Sequence, residues 1–140
     1  MGPRVLVVED NRLLRWWMAS SLEHSGFLVA APETVDEALA VSDSSAVDIL
    51  VTDWNLGESR DGFDVLSHAR KTSPQLFAIL ISAEADGELE LRAHQAGFDV
   101  VIQKPFPVAE ITGAVHEYAQ QFAKRSESSS GKPHARSEVA

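Results

Sequence analysis

Five short apolar runs recur along the chain: VLVV at 5–8, FLVAA at 27–31, DILVT at 48–52, FAILIS at 77–82 and VVIQ at 100–103. Most run apolar without alternation, as strands covered on both faces do. Between them the spacing becomes helical. Leu14, Trp17, Met18 and Leu22 share one stripe of a helix over 11–24. Thr34 with Glu37 makes a capping box for a helix through about Val41. Phe63, Leu66 and Ala69 mark a third helix over 63–71, a fourth covers about 88–96 and ends at Gly97, and Val108, Ile111, Val115, Ala119 and Phe122 mark the fifth. Strand and helix thus alternate five times. That pattern predicts an α/β fold: a doubly wound five-stranded parallel sheet with right-handed crossovers, helices on both faces and flavodoxin-like strand order.

With 140 residues and 44% hydrophobic content, the chain suits one domain, placed at 1–125. The polar stretch SESSSGKPHARSEVA has little to bury, so residues 126–140 are expected to form a disordered tail. The net charge of -9 argues against a nucleic-acid surface, which needs clustered Lys and Arg. From Glu127 onward the charges cancel, so the acidity belongs to the folded part. No cysteine is present, which excludes disulfide and thiol chemistry. No apolar run approaches the roughly 20 residues of a membrane span, and a soluble cytoplasmic protein is expected.

In an open α/β sheet, ligands bind at the carboxyl ends of the strands, so the residues that close each apolar run define the candidate site. Strand one ends in Glu9 and Asp10, strand three in Asp53, strand four in Ser82, and strand five in Lys104 and then Pro105. Two carboxylates about 5 Å apart at an effective dielectric near 20 repel by roughly 3 kcal/mol, and a third adds to that. One lysine does not offset it. Either a proton is shared or a hard divalent cation is held, and carboxylates with open water positions suit Mg²⁺. A carboxylate beside Mg²⁺, a lysine and a hydroxyl is arranged for phosphoryl transfer, with Asp53 as nucleophile and Lys104 and Ser82 on the transferring oxygens.

At these residues the chain resembles the receiver domain of two-component response regulators, over about residues 4–123. The resemblance rests on the acidic pair Glu9 and Asp10, Asp53 at the end of strand three, Ser82-Ala83 after strand four and Lys104-Pro105-Phe106 after strand five. It implies that Asp53 accepts a phosphoryl group from a phosphohistidine on a histidine kinase or histidine phosphotransfer protein. It further implies that Glu9, Asp10, Asp53 and the carbonyl of Asn55 coordinate Mg²⁺, and that the Lys104-Pro105 bond is cis. Asn55 and Glu84 stand where the family tunes the lifetime of the phosphoryl group, and Ala83, Val101 and Pro105 belong to the switching region. The family's kinases dock near the start of the first helix, where Asn11, Leu13 and Trp16 are the candidate contacts; Trp16 lies about 200° from Leu14 around that helix.

Three departures stand out. Val101 occupies a position often held by Tyr or Phe, the acceptor loop DWNLGESRDG has Gly57 where many relatives have Pro and reaches Gly62 one residue late, and the hydroxyl is Ser82 rather than Thr. They leave room for two rival readings: a degenerate receiver that binds partners without phosphorylation, and an aspartate-nucleophile phosphatase, which would need a second Asp where Asn55 stands. The expected function is a signalling module, not an enzyme, acting through an unnamed downstream protein, with homodimerisation left open. The five histidines form no metal spacing.

Overall fold

In a computed structural model, residues 3–84 and 86–131 are described, with side chains through Gln121. The strands are β1 (Arg4–Val8), β2 (Leu28–Ala30), β3 (Ile49–Asp53), β4 (Phe77–Ser82) and β5 (Val100–Gln103). The helices are α1 (Arg12–His24), α2 (Val35–Ser44), α3 (Gly62–Thr72), α4 (Gly87–Ala96) and α5 (Val108–Gly131). All neighbouring strands pair in parallel in the order β2-β1-β3-β4-β5, the flavodoxin-like order that the alternation predicts. Strand order reverses at β1 and β3. The ends of these two strands therefore open onto a common crevice.

The two-fold period of a strand sorts the core into halves. Leu6, Val8, Leu50, Ala78 and Leu80 face one side, where they meet Val35 and Ala38 of α2, Val65, Leu66 and Ala69 of α3 and Ala93 of α4. Val5, Val7, Ile49, Val51, Ile79 and Ile81 face the other, against Met18 and Leu22 of α1 and Ile111, Val115 and Tyr118 of α5. Full burial on both faces explains why these strands read as apolar runs.

Helix starts are set by local chemistry. The Asn11 side chain accepts from Leu14 N at 2.9 Å and opens α1. Thr34 accepts from Glu37 N at 3.1 Å as expected, although the returning Glu37 carboxylate accepts from Glu33 N rather than from Thr34 itself. Asp61 and Asp64 form a reciprocal capping box at α3.

One expectation needs correction. Trp17, placed on the buried stripe of α1, is 53% exposed, and the buried residues are Arg15, Met18 and Leu22. The cause is Arg15. Its guanidinium donates to the Glu9 carbonyl at 2.9 Å, which turns the i, i+3, i+7 row of Arg15, Met18 and Leu22 inward and carries Trp17 out. The backbone of α5 is helical to Gly131. Residues 132–140, and the side chain of Phe122, lie outside the described residues.

Candidate functional site

Glu9 and Asp53 leave their strands already buried, at 2% and 5% exposure, while Asp10 is exposed. One carboxylate oxygen from each of Glu9, Asp10 and Asp53 falls within a group whose members lie within 4.8 Å of one another. Lys104, delivered by the end of β5, reaches across: its Nζ lies 2.8 Å from Asp53 Oδ2 and donates to Glu9 Oε2 at 3.4 Å. The sheet register brings these groups together, because Val8 pairs with Thr52 and Asp53 with Ile81. The Lys104-Pro105 peptide bond is cis.

Glu9 Oε2 also accepts from Asn11 N at 3.0 Å, whereas Oε1 sits 3.3 Å from Lys104 Nζ without hydrogen-bond alignment and accepts no hydrogen bond among the described residues. Burial pushes the Glu9 carboxyl up to about 7; the Asn11 amide opposes the shift and the Asp53 charge adds to it. Burial alone would lower the Lys104 ammonium, but the bond to Asp53 and the charges of Asp53 and Glu9 outweigh it, so the net shift is upward. Three carboxylates against one ammonium leave two negative charges when all are ionised, the charge of one divalent cation. A set of oxygen donors with a buried carboxylate oxygen that accepts no hydrogen bond among the described residues fits a hard cation such as Mg²⁺.

Asp10, Asp53, Asn55, Ser82, Glu84 and Lys104 line one cleft of about 320 Å³, together with Trp54, Gly57 and Ala83. Of the residues expected in the phosphoryl and metal groups, all but Glu9 line this cleft, and Glu9 adjoins it through Asp10, Asp53 and Lys104. The Ser82 hydroxyl is already engaged, donating to the Glu84 carbonyl at 2.7 Å and accepting from the Glu84 amide at 2.9 Å. Asn55 Oδ1 accepts from Gly57 N at 3.0 Å. Val101 is half-buried and packs on the α2–α3–α4 side of the core, and Pro105 is exposed. Of the candidate docking residues, Leu13 and Trp16 are 72% and 65% exposed, while Asn11 is occupied in capping α1.

Sequence reasoning missed two contributors. Arg15 holds the carbonyl of a candidate metal ligand, and its i, i+3, i+7 spacing with Met18 and Leu22 was the available signal. Gly62 presses on the acceptor strand: a Cβ there would lie 2.5 Å from the Asp53 carbonyl oxygen, so only glycine lets α3 begin so close. Its amide donates to the Trp54 carbonyl at 2.9 Å, tying the start of α3 to the residue after the acceptor.

A crevice of acids, a hydroxyl and a lysine at the strand ends of a five-stranded doubly wound sheet is the arrangement that the receiver resemblance implies. The family model for the response regulator receiver domain matches residues 5–116, and the chain belongs to that family. It is 32% identical over 108 residues to the virulence transcriptional regulatory protein PhoP of Salmonella typhimurium, covering 77% of this chain and 48% of that one. It is 28% identical over 125 residues to the DNA-binding transcriptional regulator NtrC of Salmonella typhimurium, covering 86% and 26%. The chain therefore spans between a quarter and half the length of these relatives. Among solved structures, a CheY-like receiver domain protein from Methanospirillum hungatei superposes with a TM-score of 0.80 at 24% identity, covering 89% of this chain and 99% of that one. A Burkholderia pseudomallei response regulator, solved with a phosphorylated aspartic acid and a calcium ion, superposes with a TM-score of 0.74 at 22% identity, covering 92% and 75%. Both likenesses concern the fold. Among the described residues no helix is long and apolar enough to cross a membrane.

Proposed function

We propose that this receiver domain is phosphorylated on Asp53, with Mg²⁺ held by Glu9, Asp10, Asp53 and the Asn55 carbonyl, and that it signals through protein contacts. The observation that carries the reading is the 2.8 Å pairing of Lys104 with Asp53 inside the three-carboxylate group. An Asp53 oxygen forms a bond to phosphorus as the bond from phosphorus to a donor histidine nitrogen breaks, and the freed imidazole leaves with the donor protein. Bound Mg²⁺ supplies charge neutralisation for the phosphoryl oxygens. Lys104 holds the Asp53 carboxylate in place through its 2.8 Å bond and stands within reach of an incoming anion. Ser82 contributes its hydroxyl by giving up its bond to the Glu84 carbonyl. The phosphorylated aspartic acid in the Burkholderia pseudomallei relative supports the same chemistry here.

The donor is a histidine kinase or phosphotransfer protein, and Leu13 and Trp16 on α1 offer it apolar surface. The setting is cytoplasmic. With acetyl phosphate and Mg²⁺, intact mass should show one added phosphoryl group, and Asp53→Asn should show none. An unmodified wild-type chain would point instead to a phosphorylation-independent interaction module, and repeated turnover of phosphomonoesters to a phosphatase.

A further inference from the structure

The acceptor loop, one residue longer than expected, does not hang free. Arg60 closes it like a buckle. Its Nη2 donates to Glu58 Oε1 at 2.7 Å and Oε2 at 3.0 Å, its Nε donates to Oε1 at 3.2 Å, and its Nη1 donates to Asp36 Oδ1 in the first turn of α2 at 2.8 Å. A single guanidinium thus joins the loop to a helix 24 residues away in sequence. Glu58 is drawn into a hollow of about 230 Å³ that Asp10 and Glu33 also line. One residue before Glu58, Gly57 adopts a left-handed φ of +75°, and a Cβ there would stand 3.2 Å from Asp10 Oδ2. The loop backbone therefore passes close beside the carboxylate of Asp10, with no room for a side chain between them, and Asp10 is the exposed member of the acidic group.

We propose that Arg60 is a positioning residue for the metal site: by clasping Glu58 and Asp36 it seats Gly57 against Asp10 and keeps that carboxylate turned toward Glu9 and Asp53. The inference rests on the reading of Asp10 as a Mg²⁺ ligand. The fork geometry matters, because a planar guanidinium engages two carboxylates at fixed angles and a lysine ammonium does not. An exposed ion pair adds little to global stability, so the effect should be local.

The sign of one measurement separates positioning from simple charge. Removing a cation near a Mg²⁺ site, and freeing the Glu58 carboxylate, would strengthen Mg²⁺ binding if charge alone mattered. Positioning predicts the reverse. In calorimetric Mg²⁺ titrations of the full chain, Arg60→Ala should weaken binding by about tenfold, the low end for a residue that orients a metal ligand indirectly. Arg60→Lys should restore only part of it. Without Mg²⁺, amide exchange at Gly57, whose N–H is held by Asn55, should speed up in Arg60→Ala. Unchanged or tighter Mg²⁺ binding in Arg60→Ala, full recovery in Arg60→Lys, or unchanged exchange at Gly57 would each overturn the inference. A wild-type chain that takes up no Mg²⁺ would overturn it through the proposed function itself, and that failure is visible before any variant is made.

Discussion

The two walls of the crevice are built on different principles. The inner wall sets buried Glu9 and Asp53 against half-buried Lys104, and is held by strand register and by direct charge pairing. The outer wall, Asp10 with the loop of Asn55, Gly57 and Glu58, is exposed and held by backbone conformation and by the Arg60 clasp. Burial makes the inner wall energetically costly to disturb, because a charge left there has neither water nor partner. Solvent makes the outer wall cheap to disturb in stability, while its geometry still decides where a ligand oxygen points. A perturbation of one wall should therefore register mainly in folding, and of the other mainly in metal binding.

The largest expected effect breaks the inner wall. Lys104→Met leaves Glu9 and Asp53 facing each other without a cation, and in metal-free buffer at pH 8 it should cost about 4 kcal/mol in urea denaturation. Mg²⁺ should return much of that loss, since the ion replaces the missing positive charge. A metal-free stability equal to wild type would remove the distinction between the walls.

A smaller effect concerns protons. Burial raises Glu9 from 4.5 to about 7, so between these values the folded chain holds a proton that the unfolded chain has released. Stability should accordingly fall as pH rises through this interval, by on the order of 2 kcal/mol from pH 5 to 7 in metal-free buffer. Apparent Mg²⁺ affinity should climb over the same range as the proton is displaced. Glu9→Gln should flatten both profiles. Thermal denaturation across pH, with and without Mg²⁺, measures the first, and calorimetry the second.

The smallest stability effect belongs to the outer wall. Gly57→Ala places a Cβ on a left-handed residue and 3.2 Å from Asp10 Oδ2, and should cost about 1 kcal/mol. Its larger consequence should be weaker Mg²⁺ binding, because Asp10 must shift by a few tenths of an ångström. A stability loss with unaltered Mg²⁺ affinity would show that Asp10 does not depend on the loop.

Much of this molecule was legible in one dimension. Both faces of β1, β3 and β4 are covered, so their residues read as uninterrupted apolar runs, and the acids and lysine that end the runs had to stand at one rim. The helix starts were legible where a short polar side chain meets a local amide, as at Thr34. Trp17 was misplaced because Arg15 shares the inward row with Met18 and Leu22, and the partner that makes burying an arginine tolerable, the Glu9 carbonyl, lies outside the helix. The Arg60 clasp was invisible for the same reason, since Asp36 lies on another helix.

The order of apolar and polar residues alone determined the alternation of strands and helices, and with it which side chains would meet at the carboxyl ends of the sheet. Tertiary structure decided how each meeting is made: that Lys104 pairs with Asp53, that one Glu9 oxygen accepts no hydrogen bond among the described residues, and that a loop glycine passes close beside Asp10. Periodicity reports which face a residue takes, and that is a local property of the backbone. Ion pairing and desolvation depend on distances between segments far apart in the chain, and those exist only once the segments have packed.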